Sequence, residues 1–256
     1  MIDKKTFLNN FSGEDLNYVQ NLYDKYKFSG AKDISAFGNE FYPPNVWSYF
    51  QSILKNDTVT ISTYGYFEEA ERRMIAFNNI DNAGFPLKVI QIRNKSKFNK
   101  ITHRDYLGAI LSLGIKREKL GDLIVIEDSC FFPIFDEMEN FILSEVSNVF
   151  KFPVEVSVVD STKVIEGTNF EDHIIMVQSL RLDSIVTKLS NTSRTKAKNI
   201  IEQGKVLLNY QAYRDSSKEL KENDRLTIRG VGKFKLGEII GHTNSGKLKI
   251  IIKKYT

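Results

Sequence analysis

The strongest constraint on the fold lies in residues 180–210, Leu-Arg-Leu-Asp-Ser-Ile-Val-Thr-Lys-Leu-Ser-Asn-Thr-Ser-Arg-Thr-Lys-Ala-Lys-Asn-Ile-Ile-Glu-Gln-Gly-Lys-Val-Leu-Leu-Asn-Tyr. Leu182, Ile185, Val186 and Leu189 recur at helical spacing, so a short helix buries one stripe and leaves Arg181, Ser184, Thr187 and Lys188 nearer to water. A second helix is predicted at once. Ser193 is a good N-cap ahead of Arg194, while Ala197, Ile200 and Ile201 form the buried stripe. Gly204 can take the left-handed conformation that stops this helix. Arg194, Lys196 and Lys198 are then left outside. Residues 205–209 read as a strand and 225–229 as a second, which gives a helix pair leaning on a small sheet.

Charge follows the same boundary. From residue 179 to 256 there are 17 lysines and arginines against 7 aspartates and glutamates, a net of +10 in a chain whose total is +4. The first 178 residues therefore carry −6. A basic module on an acidic body is the electrostatic footprint of a protein that binds a phosphate backbone.

Residues 179–238 resemble the S4 (alpha-L) RNA-binding domain. The string Arg181-Leu182-Asp183, the pair Ser193-Arg194, and Ala197, Ile201, Gly204, Val206 and Asn209 fall in that family's order and spacing. So do Asp224-Arg225-Leu226 and Gly230-Val231-Gly232-Lys233-Phe234. Tyr210 stands where a Gly usually follows the Asn, and Asn223 where a Gly usually precedes the Asp. Both departures bear on tight turns and not on the binding face.

At 256 residues and 41% hydrophobic content the chain can bury real cores, and one to three domains are expected. No apolar run approaches the roughly 20 residues needed to cross a bilayer, and Met-Ile-Asp-Lys-Lys-Thr lacks the apolar stretch of a signal peptide. A cytoplasmic protein, monomeric and without membrane attachment, is expected. The single cysteine, Cys130, excludes an internal disulfide and reads as a buried strand thiol. His103, His173 and His242 are scattered without metal-ligand spacing, so neither metal nor cofactor is expected.

The expected fold class is α+β, in three parts. Residues 1–80 read as a small α+β domain. Leu16, Val19, Leu22 and Tyr23 form one helical stripe opened by Ser12 to Asp15, and Val46, Tyr49, Phe50 and Leu54 form another after Tyr42-Pro43-Pro44. A strand at 58–63 and a charged helix or turn at 68–73 complete it. Residues 81–165 alternate as strand 87–93, helix 102–113, strands 123–127 and 130–133, helix 136–150 and strand 154–159. That order, β-α-β-β-α-β, is the ferredoxin-like arrangement shared by RNA-recognition-motif folds. Base stacking would need aromatics on the central strands, and only one of the adjacent Phe131 and Phe132 can face outwards. Residues 179–256 form the third part, closed by a hairpin of 236–241 and 247–253 around Asn244-Ser245-Gly246. Lys249, Lys253 and Lys254 on it read either as an auxiliary phosphate grip or as lysines protecting an edge strand.

Two further segments carry a resemblance across nearly the whole chain. Thr102-His103-Arg104-Asp105-Tyr106-Leu107-Gly108-Ala109-Ile110-Leu111-Ser112-Leu113-Gly114-Ile115-Lys116-Arg117-Glu118-Lys119-Leu120-Gly121-Asp122 is similar to the YlmH family of bacterial proteins, as is Gly65-Tyr66-Phe67-Glu68-Glu69-Ala70-Glu71-Arg72-Arg73-Met74-Ile75-Ala76-Phe77. Physically, Thr102 can cap a helix that buries Tyr106, Ile110 and Leu113, Gly108 allows close backbone approach, and Gly114 ends the helix. His103, Arg104, Lys116 and Arg117 around its ends are candidates for a secondary RNA contact.

Arg181-Leu182-Asp183 matches the catalytic string of pseudouridine synthases but belongs here to the RNA-binding module itself. The sequence shows neither a Gly-rich phosphate loop nor a nucleophile with its base in a local motif, so no enzyme is expected. The expected RNA-binding residues are Arg181, Lys188, Ser193, Arg194, Lys196, Lys198 and Lys205, acting through phosphates and shape. The resemblance implies association with ribosomal RNA of the large (50S) ribosomal subunit, and stabilisation of peptidyl-tRNA on stalled, split subunits in ribosome-associated quality control. The alternatives are a regulatory or interaction protein in cell division, and an RNA-modifying enzyme carrying the same module.

Overall fold

The structure, a computed structural model, describes residues 3–11, 15–55, 57–79, 84–96, 99–160, 165 and 170–255. The chain separates into two compact units, Met1–Gly167 and Thr168–Thr256.

The first unit opens with α1 (Lys4–Leu8), capped by the Asp3 carboxylate, and α2 (Asp15–Lys32). Ser12, Gly13 and Glu14, the expected start of α2, lie outside the described residues. There follow β1 (Ala36–Phe37), α3 (Pro44–Ile53), β2 (Ile61–Tyr64) and β3 (Met74–Phe77), in a sheet ordered β1-β3-β2. Pro44 pre-sets the first turn of α3, where its missing N–H costs nothing. The core here is aromatic: Phe50 lies 4.8 Å from Phe7 and 5.3 Å from Phe77, ring centre to ring centre. β3 is buried along its whole length between its neighbours. The charged segment 68–73 is a turn, not a helix, with the Trp47 indole donating to the Glu71 carbonyl and Arg73 lying over the Trp47 ring.

The rest of this unit runs β4 (Leu87–Asn94), α4 (His103–Ser112), β5 (Ile124–Ile126), β6 (Ser129–Phe135), α5 (Glu139–Glu145), β7 (Asn148–Val149) and β8 (Phe152–Val158). The sheet is antiparallel in the order β5-β6-β4-β8-β7, as the β-α-β-β-α-β pattern requires. The second helix is shorter than its periodicity predicts. Val146 leaves the helical conformation, and Val146 and Val149 drop into the core while Phe150 turns the chain at φ 52°. Both sheet faces are covered. Phe132 packs with Ile90, Tyr106 and Ile110 under the helices, and Phe131 packs with Phe67, Val89 and Val159 on the other side. Neither phenylalanine is therefore available to stack a base. Cys130 is fully buried, and burial pushes its thiol far up.

Thr102 caps α4 through a reciprocal box with Asp105, and Gly114 ends it at φ 82°. Gly108 departs from expectation: a Cβ there would meet nothing within 4 Å, so no close approach explains it. The tail of the same segment ties the two sheets of this unit together. Half-buried Asp122 accepts the backbone N–H groups of Glu71 and Arg72. Arg72 donates to the carbonyls of Phe41 and Leu120. Gly121 lies against Pro133, where a Cβ would come within 2.3 Å of the ring.

The second unit contains β9 (Phe170–Val177), α6 (Leu182–Leu189), α7 (Arg194–Glu202), β10 (Val206–Leu208), β11 (Gln211–Ala212), β12 (Arg225–Ile228), β13 (Gly232–His242) and β14 (Leu248–Tyr255). Its sheet is ordered β11-β10-β12-β13-β14-β9. The hairpin β13–β14 extends the small sheet, but β14 is internal because β9 pairs along its far side, so its lysines protect no edge. Leu182, Ile185, Val186, Ala197 and Ile201 pack on Val206, Leu226, Phe234 and Ile250, which places both helices on one face. The two turns that lack the usual glycine form nonetheless. Asn209 and Tyr210 take φ 47° and 70° in a two-residue hairpin, and Asn223 takes 69°.

Candidate nucleic-acid interface

The helix pair is built as its periodicity predicts. Ser193 caps α7, its hydroxyl accepting the Lys196 N–H at 3.3 Å, and Gly204 stops the helix at φ 68°. Asn191, at φ 46°, turns the chain between the helices. With the apolar stripes inside, Lys188, Arg194 and Lys196 are exposed and Lys198 half-buried. Lys205, also exposed, follows Gly204 at the start of β10.

Asp183 organises this face. Its side chain is 0% exposed, yet it lies beneath two arginines that reach solvent, Arg181 at 39% and Arg194 at 61%. Arg181 donates from Nε to Oδ1 at 3.2 Å and from Nη2 to Oδ2 at 3.4 Å, and Arg194 donates from Nε to Oδ2 at 3.0 Å. Burial pushes the Asp183 carboxyl up, but the hydrogen bonds and charge of the two arginines outweigh it and hold it below the ordinary aspartate value. The same hydrogen bond raises Arg181. One buried carboxylate thus fixes two guanidinium groups from two helices, each with further N–H donors directed at solvent. Fork-shaped donors held this way suit phosphate oxygens.

Beside this clamp a small groove of about 210 Å³ is lined by Ser179, Ser184, Thr187, Lys188, Arg194 and Lys247, among others. It brings together Lys188 and Arg194, with Arg181 linked through Asp183, whereas Lys196, Lys198 and Lys205 lie outside its lining. Lys247 was not singled out from the sequence. It enters only because the β13–β14 turn closes over this end of α6, a juxtaposition that no local pattern encodes.

The secondary group around α4 does not stay together. His103, Arg104 and Lys116 are exposed, but Arg117 donates to the carbonyls of Leu120 and Gly121 at 2.8 and 3.0 Å. Burial, reinforced by nearby Arg72, draws its pKa down to about 10. Arg117 therefore serves the strap between the sheets and is not offered to a ligand. Among the described residues no cluster of His, Cys, Asp and Glu could hold a metal ion, and no helix is long and apolar enough to cross a membrane.

Residues 81–163 match a family model described as "Putative RNA-binding domain in YlmH", and residues 180–226 match the S4 domain. Both models describe RNA-binding domains. The chain is 27% identical over 220 residues to ribosome-associated protein quality control protein P2 of Bacillus subtilis (strain 168), an alignment covering 84% of this chain and 86% of that protein. A solved structure described as cell division protein ylmH from Streptococcus pneumoniae superposes with a TM-score of 0.48 at 21% identity, over 59% of this chain and 94% of that one. The two matched domains lie in this order along one α+β chain, which is therefore similar to YlmH proteins in its RNA-binding domain and carries an S4 domain towards its C-terminal end.

Proposed function

We propose that this protein binds ribosomal RNA of the large ribosomal subunit through the α6–α7 face and steadies peptidyl-tRNA on stalled, split subunits during ribosome-associated quality control. The observation that carries the RNA contact is the Asp183 clamp, which presents Arg181 and Arg194 side by side beside Lys188 and Lys247. Recognition is of backbone and shape: the donors are cations and a hydroxyl, suited to phosphate and sugar oxygens, and among the described residues no aromatic lines the groove beside them. Arg181, Lys188, Arg194, Lys196, Lys198 and Lys205 supply the phosphate contacts. Ser193 acts by fixing the start of α7, so that the helix's positive end lies beside them. His103, Arg104 and Lys116 are a second, weaker contact on the first unit. The named role of the Bacillus subtilis relative supports the ribosomal partner.

The test is to stall translation in cells with and without the gene, isolate free large subunits and measure the peptidyl-tRNA they retain. The proposal expects retention to fall without the gene and to return with the wild-type copy. It expects no return with a copy carrying Lys188→Gln and Lys196→Gln. Equal retention in all four strains would remove the rescue role.

A further inference from the structure

We propose that the cleft between β2 and the start of β4 takes an unstacked base of single-stranded RNA, held against aromatic side chains of the first unit. This goes beyond the contact made by α6 and α7 and rests on the reading that the partner is RNA. The cleft has a volume of about 850 Å³, within the range of pockets that hold small molecules and far too small for a duplex. Its floor is the helix-distal face of the five-stranded sheet, where Leu87 and Val89 of β4 meet Val159. Its walls carry Tyr64, the last residue of β2, then Tyr66 just beyond it, and Phe85 two residues before β4. The usual stacking positions of this fold are closed, since Phe131 and Phe132 are both covered. The three cleft rings offer, elsewhere on the same unit, what those strands cannot.

Tyr66 is held in a costly conformation. Its φ is 70°, and the Phe67 N–H donates to the Gly65 carbonyl at 3.0 Å, so Tyr66 is the centre of a three-residue γ-turn with positive φ, a rare and strained form. The turn is fixed from both sides. A Cβ on Gly65 would lie 2.5 Å from that of Ala70, and Phe67 is buried in the cluster that contains Val89 and Phe131. The Tyr66 ring packs edge to face on Phe67 at 5.2 Å and also lines the cleft. Glycine or asparagine at this position would relieve the backbone, so the tyrosine is there for its ring. Strain of this kind collects at ligand clamps.

Tyr64 and Phe85 complete the platform. Tyr64 is 42% exposed, its ring centre lies 5.5 Å from that of Phe85 with the planes 34° apart, and Phe37 braces Phe85 edge to face at 5.5 Å. Polar groups and charge then select the ligand. Ser62, two residues before Tyr64 and so on the same side of β2, brings a buried hydroxyl with no hydrogen-bond partner among the described residues. Burial, with Tyr64 nearby, pushes the Tyr66 hydroxyl up, which keeps it a neutral donor. Among the described residues of the lining Lys88 is the one cation and Asp160 the one acid, so the cleft is neutral overall and selects neither a phosphate nor a charged peptide. A flat ring with a polar edge fits it, and in an RNA partner that is a base.

The experiment uses the full-length protein and a mixed-sequence single-stranded RNA containing 4-thiouridine, crosslinked by near-ultraviolet light. On the wild-type protein the crosslinked peptides are expected to include residues 62–66 or 84–89. Affinity for the same RNA is then measured at low and high salt for Tyr64→Leu and Tyr64→Phe. Tyr64→Leu keeps apolar bulk at an exposed site but loses the ring, and binding should weaken by roughly tenfold with an unchanged salt slope, because stacking releases no counterions. Tyr64→Phe keeps the ring and should bind as wild type. Fluorescence of Trp47 in the first unit should be the same in both variants. Crosslinks confined to residues 179–256, or wild-type affinity in Tyr64→Leu, would overturn the cleft. Equal weakening in the Leu and Phe variants would also overturn it, because the ring would not be the cause. Purified large-subunit ribosomal RNA separates the two readings: binding of that RNA without binding of the single strand would overturn the cleft and leave the helix face, whereas binding of neither would remove the RNA reading on which the cleft rests.

Discussion

Replacing Asp183 with Asn should cost the C-terminal unit about 2 kcal/mol at neutral pH. Three charge-assisted hydrogen bonds end on the buried carboxylate, at 3.0, 3.2 and 3.4 Å. Bonds to charged groups contribute roughly 1.5–3 kcal/mol each, and Asn keeps one acceptor while turning a donor towards the guanidinium groups. Because the side chains of Arg181 and Arg194 are 39% and 61% exposed, water takes over much of what they lose. The cost therefore stays below the roughly 3–5 kcal/mol seen when a fully buried charge loses its partner. In a unit of this size, about 2 kcal/mol moves the thermal midpoint by on the order of 10 °C. The pH dependence follows from the depressed carboxyl. Ionised Asp183 stabilises the fold fully above its ordinary value of 3.8, and that contribution is lost as pH falls through the lower folded value. Wild type and Asp183→Asn should thus differ at pH 7 and converge as both are taken below that range. Far-UV circular dichroism would follow the transition, while fluorescence of Trp47, the only tryptophan, reports on the first unit and should not change. The substitution also makes the interface more positive by one charge, so a simultaneous loss of RNA affinity would separate orientation of the arginines from net charge. A gap that is the same at pH 7 and at the acid limit, or no gap at all, would refute the clamp.

Asp122→Ala leaves the Glu71 and Arg72 amides without their acceptor and should destabilise the first unit by about 2–3 kcal/mol. Chemical unfolding monitored through Trp47, whose indole bonds the Glu71 carbonyl, measures it directly. Gly108→Ala, in the middle of α4 with open space around the new Cβ, should stabilise by about 0.5–1 kcal/mol in the same assay. A decrease there would contradict the open space around the new Cβ. Asn223→Gly relieves a left-handed residue at an exposed turn and should raise the stability of the C-terminal unit by up to about 1 kcal/mol, read as an upward shift in its thermal midpoint.

The S4 helix pair was legible in the sequence because its signals are local: two apolar stripes at helical spacing, Ser193 before Arg194, and Gly204 after Ile201. The β-α-β-β-α-β order was legible for the same reason, its strands and helices each carrying their own period. What escaped was set by partners distant in sequence. β9 alternates weakly, with Ile174 and Met176 exposed, and exists as a strand because β14 pairs with it over eight residues. Arg117 reads as a surface cation beside Lys116, but folding points it at the carbonyls of Leu120 and Gly121. The cross-strand row of Arg225, Lys235 and Lys253 needs two registers before it exists at all. Phe131 and Phe132 are a further case. Alternation correctly sends them to opposite faces, but the covering of both faces, by α4 on one side and Phe67 on the other, is a tertiary fact.

The central claim, that the α6–α7 face binds ribosomal RNA of the large subunit, is tested most directly by sedimenting cell lysate through sucrose gradients at low and high salt, with wild type and with Lys196→Gln plus Lys198→Gln. The account predicts that wild type migrates with free large subunits at low salt and is released at high salt, and that the double variant, folded to the same thermal midpoint, shifts to the ribosome-free fractions at low salt. Recovery of wild type only in the ribosome-free fractions at low salt, or unchanged migration of the double variant, would contradict it.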